Sequence, residues 1–377
     1  MLTQRDVAAY LLERGLVEPK AVVGGDLVVL DASRRNANFQ VISEHAPSYL
    51  VKQGVGGQRE ATIANEAATY EFLLQSGPST FRRFLPARHL YSSQEHVLVL
   101  ALLRPAQTLQ QYHARTGRFP LWLAVEMGEA LAALHNFDAE NIAAHSPAQA
   151  APFAVKPPPW VLSLHQPTME LYHQISNANL QIVRVLQSSG GGAMLDRLRA
   201  SWQPRALVHY DFKGENVLVL GPGRAERAEG SRLKIVDWEA AGLGDPCWDI
   251  GSLFGEYLGT WLASIPVVAG GTPDQFLELA AYPLPRIQSA LRCFWQAYAR
   301  RMDMAGETAA QFLVRSTEYA AARLLQTAFE QSQGAIQVTR NTLGFVQLSF
   351  NILQRPLEAV VHLLGISLQD IMVPHVR

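Results

Sequence analysis

The chain has 377 residues, 48% of them hydrophobic and 17% charged, with a formal net charge of −1. An intrinsically disordered chain would be poorer in apolar residues and richer in charge, and the near-neutral balance gives no overall attraction to nucleic acid or to an anionic membrane. Two cysteines without metal-ligand spacing argue against a zinc site or a disulfide framework. We find neither a signal-peptide pattern nor an uncharged stretch of the roughly 18 residues that a membrane span needs. The sequence therefore predicts a soluble cytoplasmic protein, and its length favours two lobes.

The first hundred residues carry short apolar runs with strand-like alternation. After a helix predicted over residues 1–16, three runs follow that are separated by turn residues, namely DLVVLDAS, NFQVISE and SYLVKQ. This pattern indicates an antiparallel sheet made of hairpins. Helical spacing of apolar residues predicts a helix over Glu60–Gln75, and the run HVLVLALL predicts a further strand.

Beyond Thr108 the pattern is mainly helical, with three short apolar strands in the middle of the chain. The predicted helices cover 121–135, 168–186, 286–304, 309–332 and 341–364, and the predicted strands cover 206–208, 216–220 and 232–236. Pro and Ala content predicts an irregular connection over 145–160, and Gly and Ser content predicts a turn over 188–193 and a hairpin loop over 221–231. The chain is thus predicted to be an α+β protein, with a small antiparallel β-sheet lobe over residues 1–104 and a larger, mainly helical lobe over residues 105–377.

The most informative residues lie in LVHYDFKGENVLVL (207–220) and LKIVDWEAAGLGDPCWDIGSL (233–253). Asp211 follows one short strand, Asn216 opens the next and Asp237 ends a third, so three strand ends present an acid, an amide and an acid. Carboxylate and amide oxygens suit Mg²⁺, which leaves room for phosphate oxygens. A second carboxylate can accept a hydroxyl proton, and Lys213 can neutralise a phosphoryl group in transfer. Each Asx residue alone is compatible with simple capping of a strand end, but the joint spacing favours a kinase-type site.

These motifs resemble those of the aminoglycoside phosphotransferase and choline kinase superfamily, the small-molecule relatives of protein kinases. The resemblance rests on His209-Tyr-Asp211-x4-Asn216, on Val-Asp237-Trp-Glu and, most specifically, on GLGDPCWDIGSL. It implies a protein-kinase-like two-lobe fold that uses ATP and Mg²⁺. By the same resemblance, Asp211 orients and deprotonates the acceptor hydroxyl, while Asn216 and Asp237 are Mg²⁺ ligands.

The resemblance also implies roles for three further residues of these motifs. Lys213 matches the lysine that contacts the γ-phosphate in the protein-kinase form of the loop. His209 matches a structural histidine. Asp249 matches an aspartate that holds the catalytic loop by hydrogen bonds without taking part in the chemistry.

The nucleotide side is expected in the first lobe. A lysine on the third strand is expected to bind the α- and β-phosphates and to pair with a glutamate on a helix. SYLVKQ supplies Lys52, and Glu66 lies fourteen residues later on the predicted helix. Glu60 and Glu71 are competing partners whose positions relative to the apolar face of the helix are less suitable.

The loop that covers the phosphates departs from the protein-kinase pattern. In place of GxGxxG the chain has ASRRNANF (32–39), which contains no glycine. Ser33, Asn36 and Asn38 are predicted to offer backbone amides to the phosphates, since Asn tolerates positive φ, and Arg34 and Arg35 to add positive charge. The alternative is a plain hairpin turn with a solvated arginine pair.

The predicted activity is ATP- and Mg²⁺-dependent transfer of the γ-phosphate to a hydroxyl of a small molecule, with adenine bound by backbone groups near Ala101 and Leu103. Two alternatives stay open. The glycine-free loop suits a nucleotide-binding pseudokinase or scaffold subunit, and DFKGEN suits a kinase for peptide hydroxyls, although no A-P-E segment follows Asp237. The sequence does not identify the acceptor, the choice between ATP and GTP, or the oligomeric state.

Overall fold

A computed structural model describes residues 1–33, 36–75, 79–137, 153–221, 231–266 and 278–367. The chain divides into two compact units. The first unit comprises Met1–Tyr112, Asn141–Ala154 and Glu215–Ala241, and the second comprises His113–Glu140, Val155–Gly214 and Gly242–Arg377. Arg34 and Arg35, residues 145–152 of the predicted connection and residues 222–230 of the predicted hairpin loop lie outside the described residues.

A five-stranded antiparallel sheet forms the body of the first unit, with strand order β1-β2-β3-β5-β4. Its strands are β1 (Leu27–Asp31), β2 (Ala37–Ser43), β3 (Tyr49–Gln53), β4 (Arg88–Ser92) and β5 (Val97–Ala101). Alternating β-branched and aromatic residues put one face of the sheet into a core. That core contains Val7 and Leu11 of the first helix together with Phe39, Val41, Val51, Val97 and Val99.

Helices and a second sheet complete the first unit. The helices are α1 (Asp6–Glu13), α2 (Pro19–Val23), α3 (Gly57–Gln75) and α4 (Ser79–Arg82). The second sheet has the order β6-β8-β9, with β6 (Ala106–Thr108), β8 (Val217–Leu220) and β9 (Leu233–Ile235), and both pairings are antiparallel. This unit therefore takes up residues 215–241 from the middle of the chain. The predicted lobe boundary at residue 104 stays a prediction.

The second unit is mainly helical. Helix α5 (Leu109–Thr116) begins in the first unit and ends here. The other helices are α6 (Leu121–His135), α7 (Met169–Gln174), α8 (Asn177–Ser188), α9 (Gly191–Ala200), α10 (Pro246–Ala263), α11 (Leu284–Arg301), α12 (Gly306–Gln331), α13 (Arg340–Gln354) and α14 (Pro356–His362), and a 3₁₀ turn covers Trp160–Ser163.

Two glycines allow the long helices of the second unit to pack closely. A Cβ on Gly128 of α6 would lie 2.5 Å from the carbonyl oxygen of Phe294 in α11. A Cβ on Gly251 of α10 would lie 2.6 Å from the carbonyl oxygen of Ser316 in α12. Real Cβ contacts are longer than this, so any larger residue at either position would push two core helices apart.

A short two-stranded ribbon supports the loop that follows residue 208. Strand β7 (Ala206–Val208) pairs antiparallel with β10 (Gly242–Gly244). On the other side of β10, Val155 forms an isolated parallel bridge with Leu243, and the N–H of Lys156 donates to the carbonyl oxygen of Leu243 at 2.7 Å. Residues 155 and 156 are thus fixed to the same ribbon as the loop.

The predicted α+β class is confirmed, and most predicted elements appear with shifted ends. The helix predicted over 168–186 is two helices, because Ser176 caps the second by accepting a hydrogen bond from the N–H of Asn179. The helix predicted over 341–364 ends at Gln354, since Pro356 begins a new helix. The turn predicted over 188–193 is shorter than expected, because α9 already begins at Gly191. No helix within the described ranges is long and apolar enough to cross a membrane.

Candidate active site

Three charged side chains of the first unit form a compact cluster, here called the ion-pair cluster: Lys52, Glu66 and Asp237. Lys52 Nζ lies 2.9 and 2.7 Å from the two carboxylate oxygens of Glu66 and 2.7 Å from Asp237 Oδ1. Glu66 is fully buried and Lys52 is 7% exposed. The ion pair expected between the third strand and the helix is therefore present, and Asp237 joins it.

The local structure explains why these residues meet. Lys52 lies on the central strand β3, between Asn38 of β2 and Leu98 of β5. Glu66 lies on the buried face of α3 together with Ile63, which is one helical turn earlier. Glu60 and Glu71 lie elsewhere: the carboxylate of Glu60 is 3.7 Å from His96, and that of Glu71 is 3.7 Å from Arg88.

Burial and electrostatic attraction have opposite effects on the pKa values in the ion-pair cluster. Burial raises the pKa of Glu66 to about 7, although the ammonium of Lys52 lowers it. Burial by itself would lower the pKa of Lys52, but the carboxylates of Glu66 and Asp237 raise it above its ordinary value. A charged lysine is thus fixed between two acids in a site with little water, where electrostatic forces are strong.

Asp237 follows β9 in an unusual backbone conformation, with φ of 69° and ψ of 57°. A short 3₁₀ turn, Trp238–Ala240, comes next, and its buried Trp238 donates from Nε1 to the carbonyl oxygen of Ile235. Asn65, the neighbour of Glu66 on α3, donates from Nδ2 to the carbonyl oxygens of Glu239 (2.9 Å) and Ala241 (3.2 Å). Helix α3 therefore holds the Asp237 segment directly through Asn65, and through Glu66 only by way of Lys52.

Asn216 lies beside this segment, immediately before β8, and its side chain is nearly buried. The main-chain carbonyl oxygen of Asn216 accepts a hydrogen bond of 3.0 Å from the N–H of Val236, the residue before Asp237. The side-chain amide oxygen of Asn216 and the carboxylate of Asp237 are hard oxygen donors, the type of ligand that fits Mg²⁺. Within the described ranges, we find no group of three His, Cys, Asp or Glu side chains that could hold a metal.

The glycine-free turn is held by its own side chains. The N–H of Ser33 donates to Asp31 Oδ1, and the N–H of Asn38 donates to Ser33 Oγ. Asn36 is 6% exposed, and its Nδ2 donates to Glu239 Oε2 at 3.1 Å. Two of the three amides predicted to face phosphates are thus used inside the turn, and Asn36 connects the turn to the segment that carries Asp237.

Ala101 ends β5, where the predicted adenine-binding residues begin. Its N–H donates to the carbonyl oxygen of Ala87, and the N–H of Leu102 donates to the carbonyl oxygen of Ser48. Both amides are therefore used within the first unit. The predicted contact with adenine then depends on the carbonyl of Ala101 and on the backbone of Leu103, which is partly exposed.

In the second unit, the segment between β7 and Gly214 carries the other predicted catalytic residues. Lys213 Nζ lies 2.8 Å from Asp211 Oδ2, and both side chains are about a third exposed. His209 is fully buried, with its ring edge-on to Phe212. Tyr210, between His209 and Asp211, has a φ of 69°.

Asp249 of α10 holds this segment through its backbone. Its carboxylate accepts hydrogen bonds from the N–H of His209 (2.7 Å) and from the N–H of Tyr210 (3.0 Å). It also lies 3.3 Å from Nε2 of His135, whose Nδ1 is 3.0 Å from Tyr298 Oη. The predicted hydrogen bonds of Asp249 to the loop are thus present, and they extend through His135 to α11.

Several residues that support the ion-pair cluster or the segment carrying Asp211 were not predicted from the sequence. Asn65 and Glu239 carry a weak signal, because they stand next to motif residues. His135 ends an Ala/Leu-rich helix and shows no pattern of its own, and Tyr298 has only the pattern of a core residue. For Tyr210 the signal is its place inside the His-x-Asp motif, since only the backbone reveals its left-handed conformation.

A comparison with models of protein families identifies the family that the chain matches. The model of the phosphotransferase enzyme family (APH) matches residues 26–272, which is well over half of the chain. No curated protein matches the sequence. The matched region contains every residue of the ion-pair cluster as well as Asp211, Asn216 and Asp249, and the phosphotransferase family suspected from the motifs is confirmed.

Among solved structures, the chain is similar to kinases and phosphotransferases at low identity. A choline/ethanolamine kinase family protein from Mesorhizobium loti has 17% identity and a TM-score of 0.47, over 94% of this chain and 95% of that chain. A macrolide 2′-phosphotransferase from Brachybacterium faecium has 16% identity and a TM-score of 0.47, over 90% and 97% of the two chains. A choline kinase from Cryptosporidium parvum has 12% identity and a TM-score of 0.49, over 95% and 96%.

Proposed function

The chain belongs to the phosphotransferase enzyme family, and from this we propose that it transfers the γ-phosphoryl group of ATP to a hydroxyl group of a small molecule. The observation that carries the proposal is the ion-pair cluster. A buried lysine that contacts a helix glutamate and a second acid is the arrangement that orients nucleotide phosphates in kinase-type sites.

Lys52 is assigned to the α- and β-phosphates in this proposal. Glu66 holds the ammonium in place through both carboxylate oxygens, which restricts its rotation before the nucleotide arrives. A donor fixed in advance costs no reorganisation when charge develops, and this is why preorganised groups are effective. Ser33, Asn36 and Asn38 would form the cover over the phosphates, and Ala101 and Leu103 the edge facing adenine.

Asn216 and Asp237 are assigned to Mg²⁺. When bound, the ion neutralises charge on the phosphate oxygens. Asp237 has its Oδ1 on Lys52 and a side chain that is about a third exposed, so a lysine and a cation would share its carboxylate. Asn216 supplies a neutral amide oxygen and leaves the net charge of the site unchanged.

Asp211 is assigned to the acceptor. Its carboxylate would accept the proton of the attacking hydroxyl or orient that hydroxyl for in-line attack. Lys213 Nζ lies 2.8 Å from Asp211 Oδ2. In the reaction its ammonium would move partly away from Asp211 and stabilise the negative charge on the phosphoryl group in transfer. The donor class is thus a nucleoside triphosphate and the acceptor class is an alcohol.

A nucleotide-binding pseudokinase is the second candidate, and one observation favours it. The N–H groups of Ser33 and Asn38 are occupied inside the glycine-free turn, which leaves fewer amides for phosphates than a glycine-rich loop provides. A pseudokinase would bind ATP and Mg²⁺ without turnover. The intact set of Asp211, Asn216 and Asp237 supports the enzyme instead.

One experiment separates the two candidates. ATP binding is followed by thermal shift with and without Mg²⁺, and ADP release is followed with a panel of amino alcohols, aminoglycosides and sugars. We expect an acceptor-dependent rate that Asp211→Asn lowers about 100- to 10,000-fold, while ATP still raises the melting temperature. Asp196→Asn, a change at a half-exposed aspartate of the same unit, is the matched control. Binding without turnover under every condition favours the pseudokinase, and full activity of Asp211→Asn contradicts the assigned role.

A further inference from the structure

Tyr210 has a backbone conformation that its side chain disfavours. Its φ of 69° lies in the left-handed region, where a Cβ crowds the following carbonyl oxygen and glycine is the residue without cost. Such residues persist only where the surroundings determine them strongly, and they concentrate at functional sites. Tyr210 directly precedes Asp211, so its φ and ψ decide in which direction the Asp211 carboxylate leaves the chain.

Both backbone groups of Tyr210 are fixed by buried partners from α10. The N–H donates to Asp249 Oδ1 at 3.0 Å, and the carbonyl oxygen accepts a hydrogen bond of 2.7 Å from Trp248 Nε1. Asp249 and Trp248 are adjacent residues of one helix and are almost completely buried. The peptide units on either side of the left-handed residue are therefore held by a single rigid element.

The side chain of Tyr210 makes a third attachment, to a different part of the unit. Its Oη donates to the carbonyl oxygen of Pro157 at 2.9 Å. Burial raises the pKa of this phenol to about 12, so the hydroxyl keeps its proton at neutral pH. The ring also lies edge-on to Trp202, with 6.3 Å between the ring centroids.

The carbonyl oxygen of Pro157 is itself a fixed acceptor. The preceding residue, Lys156, donates its N–H to the carbonyl oxygen of Leu243 at 2.7 Å, and its carbonyl oxygen accepts from Trp202 Nε1 at 3.0 Å. Leu243 lies in β10 and pairs with Leu207 of β7, the strand that leads into the loop. Tyr210 thus connects the loop to a segment that is anchored on the same ribbon.

We propose that Tyr210 is a positioning residue that fixes the direction of Asp211 by joining the α10 anchors to the carbonyl of Pro157. The proposal rests on the proposed function, in which Asp211 meets the acceptor hydroxyl. A glycine would adopt the same φ without strain but would have no hydroxyl for Pro157 and no ring for Trp202. The presence of tyrosine where glycine fits the backbone better is explained if the side-chain attachment maintains the geometry.

Three variants separate the attachment from the backbone strain. Tyr210→Phe removes only the hydroxyl, Tyr210→Ala removes the ring and keeps the strain, and Tyr210→Gly removes both the ring and the strain. Tyr172→Phe is the matched control, because Tyr172 is a tyrosine of the same unit that is 47% exposed. The assay measures ADP release from Mg-ATP with the panel of amino alcohols, aminoglycosides and sugars as acceptors, and hydrogen exchange is measured on the peptide covering residues 207–214.

We expect Tyr210→Phe to lower kcat about 3- to 10-fold with KM for ATP unchanged, and to speed exchange of the loop amides by a similar factor. Tyr210→Gly is expected to lose more than Tyr210→Phe, because the relief of strain does not restore the attachment. Tyr172→Phe is expected to leave both measurements unchanged.

The proposal is overturned if Tyr210→Gly matches the wild type, since backbone strain would then be the only property of this position. It is also overturned if Tyr210→Phe leaves kcat and loop exchange unchanged. A wild-type protein that releases no ADP contradicts the proposed activity, and the exchange rates of the same variants then decide the positioning role separately.

Discussion

In each unit the position of one motif aspartate depends on a left-handed backbone residue, and the two units hold that residue by different means. In the first unit the left-handed residue is Asp237 itself, with a φ of 69°, and its side chain lies on the ammonium of Lys52. In the second unit it is Tyr210, also with a φ of 69°, and its backbone is bound by Trp248 and Asp249. The first acid contacts a buried ammonium, whereas the second contacts only a partly exposed one and follows a residue whose main chain is bound by α10.

This difference predicts that the two units respond differently to substitution and to pH. An ion pair depends on the charge of each member, and breaking a buried pair leaves an uncompensated charge. Hydrogen bonds from backbone amides keep their donors at every pH at which the protein is folded. We therefore expect substitutions in the ion-pair cluster to lower turnover and stability in a pH-dependent way, and substitutions around Asp249 to loosen the loop and lower stability without that pH dependence.

Within the ion-pair cluster and the Asp249 anchor, the largest effect is expected from Lys52→Met, which keeps the length of the side chain and removes its charge. Without the ammonium, the nucleotide phosphates lose a preorganised partner, so turnover should fall about 100- to 1,000-fold. Steady-state kinetics with Mg-ATP measures this effect. Lys20→Met is the control, since the side chain of Lys20 is 84% exposed in the same unit. Near-normal turnover of Lys52→Met would remove the charged cluster from the proposed mechanism.

The second effect is expected from Asp249→Asn, a substitution in the second unit. Asp249→Asn replaces a carboxylate that accepts two backbone hydrogen bonds with an amide whose NH₂ group can face a donor. We expect the free energy of unfolding to fall by about 2–3 kcal/mol, as for hydrogen bonds to charged groups. Urea unfolding measures the change, and Glu358→Gln, at an exposed position of α14, is the control. A loss of activity at unchanged stability would break the comparison between the two units.

A pH dependence should distinguish the ion-pair cluster. Because burial raises the pKa of Glu66 to about 7, the folded state binds more protons than the unfolded state between the ordinary glutamate pKa and pH 7. The stabilising contribution is therefore complete below about pH 4.5 and is lost as pH rises through 7, with a slope of at most about 1.4 kcal/mol per pH unit. Glu66→Gln should flatten this part of the stability profile. An unchanged profile would show that Glu66 is ionised throughout.

The smallest effect is expected at the contact between Asn36 and Glu239. A double-mutant cycle with Asn36→Ala and Glu239→Ala isolates this contact from the other interactions of both residues. We expect a coupling free energy of about 0.5–1.5 kcal/mol from urea unfolding. A coupling of zero would mean that the contact between Asn36 and Glu239 does not stabilise the fold.

Much of the candidate site could be predicted from the spacing of residues along the chain. The two-residue period of a strand predicts that Lys52 lies on the third strand, and the 3.6-residue period of a helix predicts that Glu66 lies on the helix that follows. Both periods are local properties of the sequence. The same periods place Glu66, and not Glu60 or Glu71, on the buried face of α3. The contact of Asp237 with Lys52 does not follow from spacing, because 185 residues separate the two in the chain.

Elements without apolar periodicity were harder to predict. Strand β4 contains Arg88 and His89, and β10 is Gly-Leu-Gly, so neither shows the alternation of a half-buried strand. Both are strands because a neighbour offers backbone partners: β5 pairs with β4, and β7 pairs with β10. Pairing with a formed strand can override a weak intrinsic preference.

The sequence by itself determined the α+β class, the order of the main elements, the motifs around Asp211 and Asp237, and the positions of Lys52 on a strand and Glu66 on the apolar face of a helix. These depend on side-chain type and on short-range periodicity. Only the tertiary structure decided the third member of the ion-pair cluster, the use of the turn amides by Ser33 and Asp31, and the attachment of Tyr210 to Pro157. Each of these joins groups whose mutual position depends on how the chain folds back on itself, and a backbone angle such as the φ of Tyr210 is set by those contacts and not by the residue that adopts it.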